Sequence, residues 1–520
     1  MITYLKVQNN NIMRYLKIIF FILISSNLSF SQIDRSNPPK SGPSPSIDLG
    51  NPKSFELDNG LKVIVVENNK LPRAFANLDI DNYPDFEGDI KGVSSMLGAM
   101  MGNGTKNQSK DSYNEEVDYM GATLFLSASG GYVSSLKRYF PRVLEMMADG
   151  LINPLFTKSD FQKEKNVALE GIKSIEKDVQ TIAGRVHSKL RYGSTHPYGE
   201  FETEESLNNI SLKDVQNYYK KYAIPNNSFL TIVGDVKYEE IKPLIESLFG
   251  KWKKGKELNY KLPQTNNLDN IEINFVDMPN AVQSEIYVGN LMDISMTNPD
   301  FFALKLGNQI LGGGGSGRLF MNLREDKGFT YGSYSSASTS RYTGSFTASA
   351  SVRNEVTDSA VNEIIKEIKL ITEEGVTEEE LSSAKEKYVG NFIMSTEQPS
   401  TIAGFATNID KFNLPSNFYE TYLENFQSVT ADDVKRVLNK YLLGDNLRVM
   451  VVGKGQDILT SLEEMPYDIM YFDKNGEPTT KPDFSTPTGI TVETVLNKYI
   501  EAIGGKEKVE SVNAVSMLAE

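Results

Sequence analysis

Apolar and polar positions sort this chain into short extended runs and longer helical ones. Phe55-Glu56-Leu57, Asp58-Asn59-Gly60 and the apolar run 61–66 read as strand, tight turn and strand, because Asn-Gly accepts positive φ at little cost. Helical apolar spacing covers residues 110–119 and 135–151, with an extended stretch at 123–129 between them. A charged amphipathic helix follows over 159–175, and Ser211-Leu212-Lys213-Asp214 opens another with a capping serine. Phe229-Leu230-Thr231-Ile232-Val233 is then a short buried strand closed by Gly234. This mixture of elements predicts an α+β layer fold.

The second half repeats that order. Extended stretches at 271–276 and 285–288 precede a helix at 299–311 and strands within 330–351. Two long helices follow, the second opened by the capping box Thr377-Glu378-Glu379-Glu380, and a last helix starts at Thr430-Ala431-Asp432-Asp433. The closing run 446–453 matches 229–234 in type and place, so the chain reads as a duplication of roughly 200 residues per copy.

The expected organisation is a secretory leader at 1–31, a linker at 32–50, a first domain at 51–250, a joining segment at 251–270 and a second domain at 271–471. A linker at 472–490 and the start of an incomplete further domain at 491–520 follow, the latter with a helix at 492–503 and a strand at 512–518. The leader rests on Arg14 and Lys17 before the apolar run 18–24, with small residues Ser29 and Ser31 at the cleavage-determining positions. That run is well short of the ~20 residues a membrane span needs, so no span is expected after leader removal. The linker at 32–50 carries the proline- and serine-rich stretch 38–46.

Composition narrows the chemistry. Net charge is −14, from 68 acidic and 54 basic residues, which is no footprint for a nucleic-acid binder. Without cysteine the chain has no thiolate nucleophile, disulfide or cysteine-ligated metal. Its two histidines, His187 and His196, are too far apart in sequence to share one helical turn as zinc ligands.

Three stretches carry a family resemblance. His196-Pro197-Tyr198-Gly199 with Thr203-Glu204-Glu205-Ser206-Leu207 is followed by Tyr222-Ala223-Ile224-Pro225-Asn226-Asn227, and Arg318-Leu319-Phe320, Leu323-Arg324-Glu325 and Gly328-Phe329-Thr330-Tyr331 come later. Together with the duplication they resemble the pitrilysin/insulinase-like (M16) metallopeptidases, over most of 51–471. The resemblance implies two tandem homologous domains, each a mostly antiparallel sheet packed with helices, forming half of a clamshell.

Active members of that family carry His-x-x-Glu-His on a first-domain helix, two histidines one turn apart binding zinc and a glutamate serving as base. Here the matching positions are Ser95, Gly98 and Ala99, between flanks Gly92-Val93 and Met100-Met101-Gly102-Asn103-Gly104-Thr105. The glutamate ligand of a later helix matches Gly171, with Glu170 beside it. None of the four positions can hold zinc or take a proton, so no metal or other cofactor is expected in this chain. The family's substrate-pairing strand matches Gly121-Ala122-Thr123-Leu124-Phe125-Leu126, where bulky Phe125 and Leu126 argue against strand addition of a peptide.

The resemblance carries a second pair of roles onto Arg324 and Tyr331: binding the peptide backbone and stabilising the oxyanion. A forked, permanent cation and a phenol donor suit those tasks. The reading is a non-zinc subunit of a secreted, periplasmic heterodimer, whose partner is a zinc-carrying M16 homologue and whose substrate is a peptide. No peptide-bond cleavage is expected from this chain alone. The alternative is a pseudo-peptidase acting as a peptide-binding or envelope scaffold protein.

Overall fold

The computed structural model describes residues 52–256, 258, 261–485 and 488–515. The expected leader (1–31) and the linker after it (32–50) lie outside those residues. Among the described residues, twelve strands form two sheets. The first contains β1 (Lys53–Glu56), β2 (Lys62–Glu67), β3 (Arg73–Ile80), β4 (Thr123–Ser127), β5 (Gly130–Leu136) and β6 (Ser228–Gly234). The second contains β7 (Glu272–Asp277), β8 (Gln283–Met292), β9 (Thr330–Ser338), β10 (Gly344–Arg353), β11 (Arg448–Gly453) and β12 (Asp468–Phe472).

Spatial order is β1-β2-β6-β3-β5-β4 in one sheet and β12-β7-β11-β8-β10-β9 in the other. Beyond β1 and β12 the two orders are the same. Within those five shared strands the first pairs parallel with the last (β2 with β6, β7 with β11) and the other neighbouring pairs are antiparallel, while β1 joins β2 antiparallel and β12 joins β7 parallel. The duplication read from the sequence is therefore a duplication of topology, and the α+β class holds with mixed sheets. β1 and β2 form the expected hairpin. Gly60 sits at φ 87°, and Asn59 donates to the carbonyls of Phe249 and Trp252, tying the turn to the end of the first half.

Each sheet buries one face against its own half's helices. In the first half the core runs from Val63, Val65, Ala76, Leu78 and Ile232 to α1 (Val93–Met100) and α2 (Phe140–Ile152). Alongside α1 lies α3 (Lys158–Ile175). Part of each opposite sheet face is covered by an exchange. Helix α4 (Val179–Tyr192) belongs by sequence to the first half, yet sets Ile182, Ala183 and Val186 against Val276, Met450 and Val452 of the second sheet. Reciprocally, α5 (Pro399–Phe412) lies on β6 and β2 of the first sheet. There Thr407 meets Thr231 at 3.0 Å, and Lys411 reaches Asp79 at 2.6 Å.

Three expectations change. The helix expected over 135–151 starts at Phe140, because 130–136 is strand β5 with alternating burial, and Pro141 sits in the first helical turn. The helix near the C-terminus spans Val492–Ala502, but it buries none of its residues. A second helix, Lys506–Glu510, follows it, and residues 512–515 are not strand.

Candidate functional site

Helix α1 holds Ser95, Gly98 and Ala99, the positions that the resemblance sets against the zinc motif. Its apolar positions Val93, Met96, Leu97 and Met100, spaced i, i+3, i+4, i+7, are buried in the first core. That leaves Ser95 and Ala99, one turn apart, on the exposed face with Gly98 beside them. Gly92 begins the helix at φ 105°, and a Cβ there would lie 2.8 Å from Leu207. Glu87 caps the first turn, accepting from the Gly92 N–H at 2.8 Å and the Ser94 hydroxyl at 2.5 Å, where a carboxylate suits the helix dipole.

Gly171 lies on α3, exposed, with nothing within 4 Å of a Cβ built there. Glu170 does not replace the missing ligand. Its carboxylate turns to solvent and pairs with Lys173 at 2.7 Å. Among the described residues no group of three or more His, Asp or Glu side chains could hold a metal ion. The donors present around α1 do not fit zinc. An alanine at Gly171 meets open space in a helix interior, so Gly171→Ala is expected to raise stability by about 1 kcal/mol; an unchanged denaturant midpoint contradicts this.

Near α1 the structure adds carboxylates that the motif comparison passed over. Glu202 accepts the Ser95 hydroxyl across the helix boundary. Glu200 accepts the N–H groups of Glu87 and Gly88, both at 3.0 Å, and Lys91 bridges Glu87 and Glu200. Burial holds the Glu200 carboxyl above its ordinary range. The sequence signal was the alternation Glu200-Phe201-Glu202 directly after His196-Pro197-Tyr198-Gly199. His196 itself is structural, with its Nδ1 accepting the Tyr198 N–H and its ring stacked on Tyr192.

The strand beside this helix corrects one expectation. Leu126 is 3% exposed and points into the core against Gly131 and Gly150, while Phe125 lies 61% exposed on the open sheet face. Both side chains stand perpendicular to the sheet, so neither obstructs its edge. As the last strand of its sheet, β4 pairs only with β5 among the described residues, and its outer backbone groups face away.

Arg324 and Tyr331 sit together at the corresponding edge of the second sheet. The turn Met321–Asp326 is π-helical and anchored by fully buried Leu323. Gly328, at φ 62°, closes it, donating to the Arg324 carbonyl at 3.1 Å, while Phe329 donates to that of Leu323 at 2.8 Å. Arg324 emerges over the Phe320 ring, 4.8 Å from its centroid, with its guanidinium 3.4 Å from Glu325. Behind it, Arg318 holds Glu380 through two bonds of 2.7 and 2.8 Å, joining this turn to the helix Glu378–Thr396. Tyr331, on β9, is 88% exposed and makes no hydrogen bond among the described residues. The glycine-rich stretch Gly312–Gly315 with Gly317 is close-packed, since a Cβ at Gly312 would lie 2.5 Å from the Ser335 nitrogen and one at Gly317 2.9 Å from the Gly312 Cα.

The site residues therefore fall into two groups. Ser95, Gly98, Ala99 and Gly171 lie on two helices in contact in the first half, and Arg324 and Tyr331 on one turn and strand in the second.

Two family profiles match the chain. Insulinase (peptidase family M16) covers residues 64–197, and the peptidase M16 inactive domain covers 209–388. The uncharacterised zinc protease YmxG of Bacillus subtilis (strain 168) is 26% identical over 393 residues, covering 74% of this chain and 93% of its own. A Helicobacter pylori (strain ATCC 700392 / 26695) protein described as non-peptidase homolog YmxG is 21% identical, covering 75% and 91%. Among solved structures, a peptidase M16 inactive domain from Pseudomonas fluorescens superposes with a TM-score of 0.70 at 25% identity, covering 78% of this chain and 98% of its own. A protease from Helicobacter pylori gives 0.69 at 20%, covering 78% and 99%.

Proposed function

The chain belongs to the M16 peptidase family as an inactive-type member, and from that premise we propose that it is the non-zinc subunit of a two-chain peptidase. One observation carries the reading, an asymmetry of loss. All four zinc-motif positions lack a ligand or base, while Arg324 and Tyr331 are present, exposed and held on a rigid turn and strand. Tyr331 has a phenol free to donate to charge developing on a substrate carbonyl, and Arg324 a guanidinium able to bind peptide carbonyls. Zinc would come from a partner homologue carrying His-x-x-Glu-His. The leader read at 1–31 supports a periplasmic location for the pair, and among the described residues no helix is long and apolar enough to cross a membrane.

Affinity isolation from the native envelope is expected to yield that homologue. In the reconstituted pair, Tyr331→Phe should slow cleavage of an internally quenched peptide about tenfold, with the partner's zinc content unchanged. An unchanged rate rejects the role.

A second reading, a peptide-binding pseudo-peptidase, is favoured by the open β4 edge with exposed Phe125 beside it. It also accords with the relative described as a non-peptidase homolog. Peptide binding by the lone chain, abolished by proline substitution in β4 and indifferent to Arg324→Ala, would select it.

A further inference from the structure

Strand β9 does not run regularly through Tyr331. Ser333 pairs with Ala350 and Thr330 with Val352, so Tyr331 and Gly332 together face the single residue Ser351. This is a β-bulge, and it shifts the phase of the strand by one residue. Beyond it, Ser333 and Ala337 point inward, at 0% and 3% exposure. Counted back in steps of two, an unbroken strand would turn Tyr331 toward the same buried side. The bulge turns it to solvent.

Specific contacts hold the bulge. The Thr330 hydroxyl donates to the Ser351 carbonyl at 2.7 Å and accepts the Gly332 N–H at 3.1 Å, satisfying backbone groups that the irregular ladder would leave unpaired. From β10, Arg353 donates to the Gly328 carbonyl at 2.8 Å, fixing the left-handed residue that separates Arg324 from Tyr331. A Cβ at Gly332 would lie 2.7 Å from the Tyr334 ring, so any larger residue there has to move that half-exposed side chain. Val352, fully buried, anchors the far side of the bulge.

We propose that Thr330 and Arg353 are positioning residues that hold the Tyr331–Gly332 bulge and so present the Tyr331 phenol toward a bound peptide. The purpose rests on the subunit reading; the device rests on the strand register. Neither side chain touches the reacting atoms in this account. Each acts through backbone, Thr330 through Ser351 and Gly332, Arg353 through Gly328.

Two measurements test it. In the reconstituted pair, Thr330→Val and Arg353→Ala should each lower kcat about fivefold with KM within about twofold, and neither should lower it further when Tyr331 is already Phe. Thr330→Ser, which keeps the hydroxyl, should restore the rate. In the isolated full chain with 3-fluorotyrosine at position 331, the fluorine resonance should move in Thr330→Val and Arg353→Ala and stay in place in Thr330→Ser. A label at Tyr119 on the first half should not respond. A resonance at 331 unmoved by both substitutions, or rate losses that multiply with Tyr331→Phe, overturns the proposal. If Tyr331→Phe alone leaves cleavage unchanged, the subunit reading falls and the resonance decides the positioning role by itself.

Discussion

The fourfold variant Ser95→His, Gly98→Glu, Ala99→His, Gly171→Glu is expected to bind zinc at about one ion per chain, where the natural chain binds none stoichiometrically. Ser95 and Ala99 already share the exposed face of α1 one turn apart, the spacing two imidazoles need. At Gly98 the nearest atom to a new Cβ is the Ala128 nitrogen at 3.6 Å, ordinary contact, and at Gly171 the space is open. Glu202, which now accepts the Ser95 hydroxyl, would stand ready to take an imidazole N–H and orient the first ligand. Metal content after chelator treatment, zinc addition and desalting, measured on tag-free protein, checks this. A variant that folds with an unchanged circular dichroism spectrum yet holds no zinc would show that the α1 and α3 backbones no longer stand in coordinating register. Stoichiometric binding would place the loss of the metal site in four side chains, with the frame around them retained.

Much of the frame was legible because local signals and tertiary roles agree. The Asn59-Gly60 hairpin, the capping boxes at Ser211, Thr377 and Thr430, and the fully buried strand 228–234 all fold as their residues dictate. The missed elements answer to distant partners. Helices α4 and α5 each pack on the other half's sheet, and the apolar face of α4 is interleaved with Arg185, His187, Lys189 and Arg191. Strands β3 and β12 are recognisable mainly by their neighbours. At the site, the sequence supplied residue identities at Ser95, Gly98, Ala99, Gly171, Arg324 and Tyr331. It did not supply the phase of β9, since a bulge is a relation between two strands, or the inward turn of Leu126, since glycines at 131 and 150 make the room for it.

Stability should fall as pH drops below about 6.5, and His187 should be a principal cause. The ring is 4% exposed, lies between α4 and the second sheet with its centroid 5.5 Å from that of Tyr287, and neither nitrogen has a hydrogen-bond partner among the described residues. Burial, and then the positive charges of Arg191 on its own helix and Arg448 on β11, hold its pKa well below the ordinary value of 6.5. The folded imidazole therefore stays neutral while the unfolded one gains a proton. Because the folded pKa is the depressed one, the full stability is present above pH 6.5 and is lost as pH falls. The slope is about 1.4 kcal/mol per unit wherever the unfolded imidazole is protonated and the folded one is not. The buried carboxyls Glu200 and Glu285 are shifted upward and act with the opposite sign at lower pH, so the test is a difference. Urea midpoints of the natural chain and His187→Leu, measured from pH 7.5 to 5, should diverge below pH 6.5, with the variant losing less. Parallel curves would mean that the imidazole finds a proton partner in the folded chain. Divergence would locate an acid-sensitive joint at α4, an exchanged helix whose apolar face and chain connection belong to different halves.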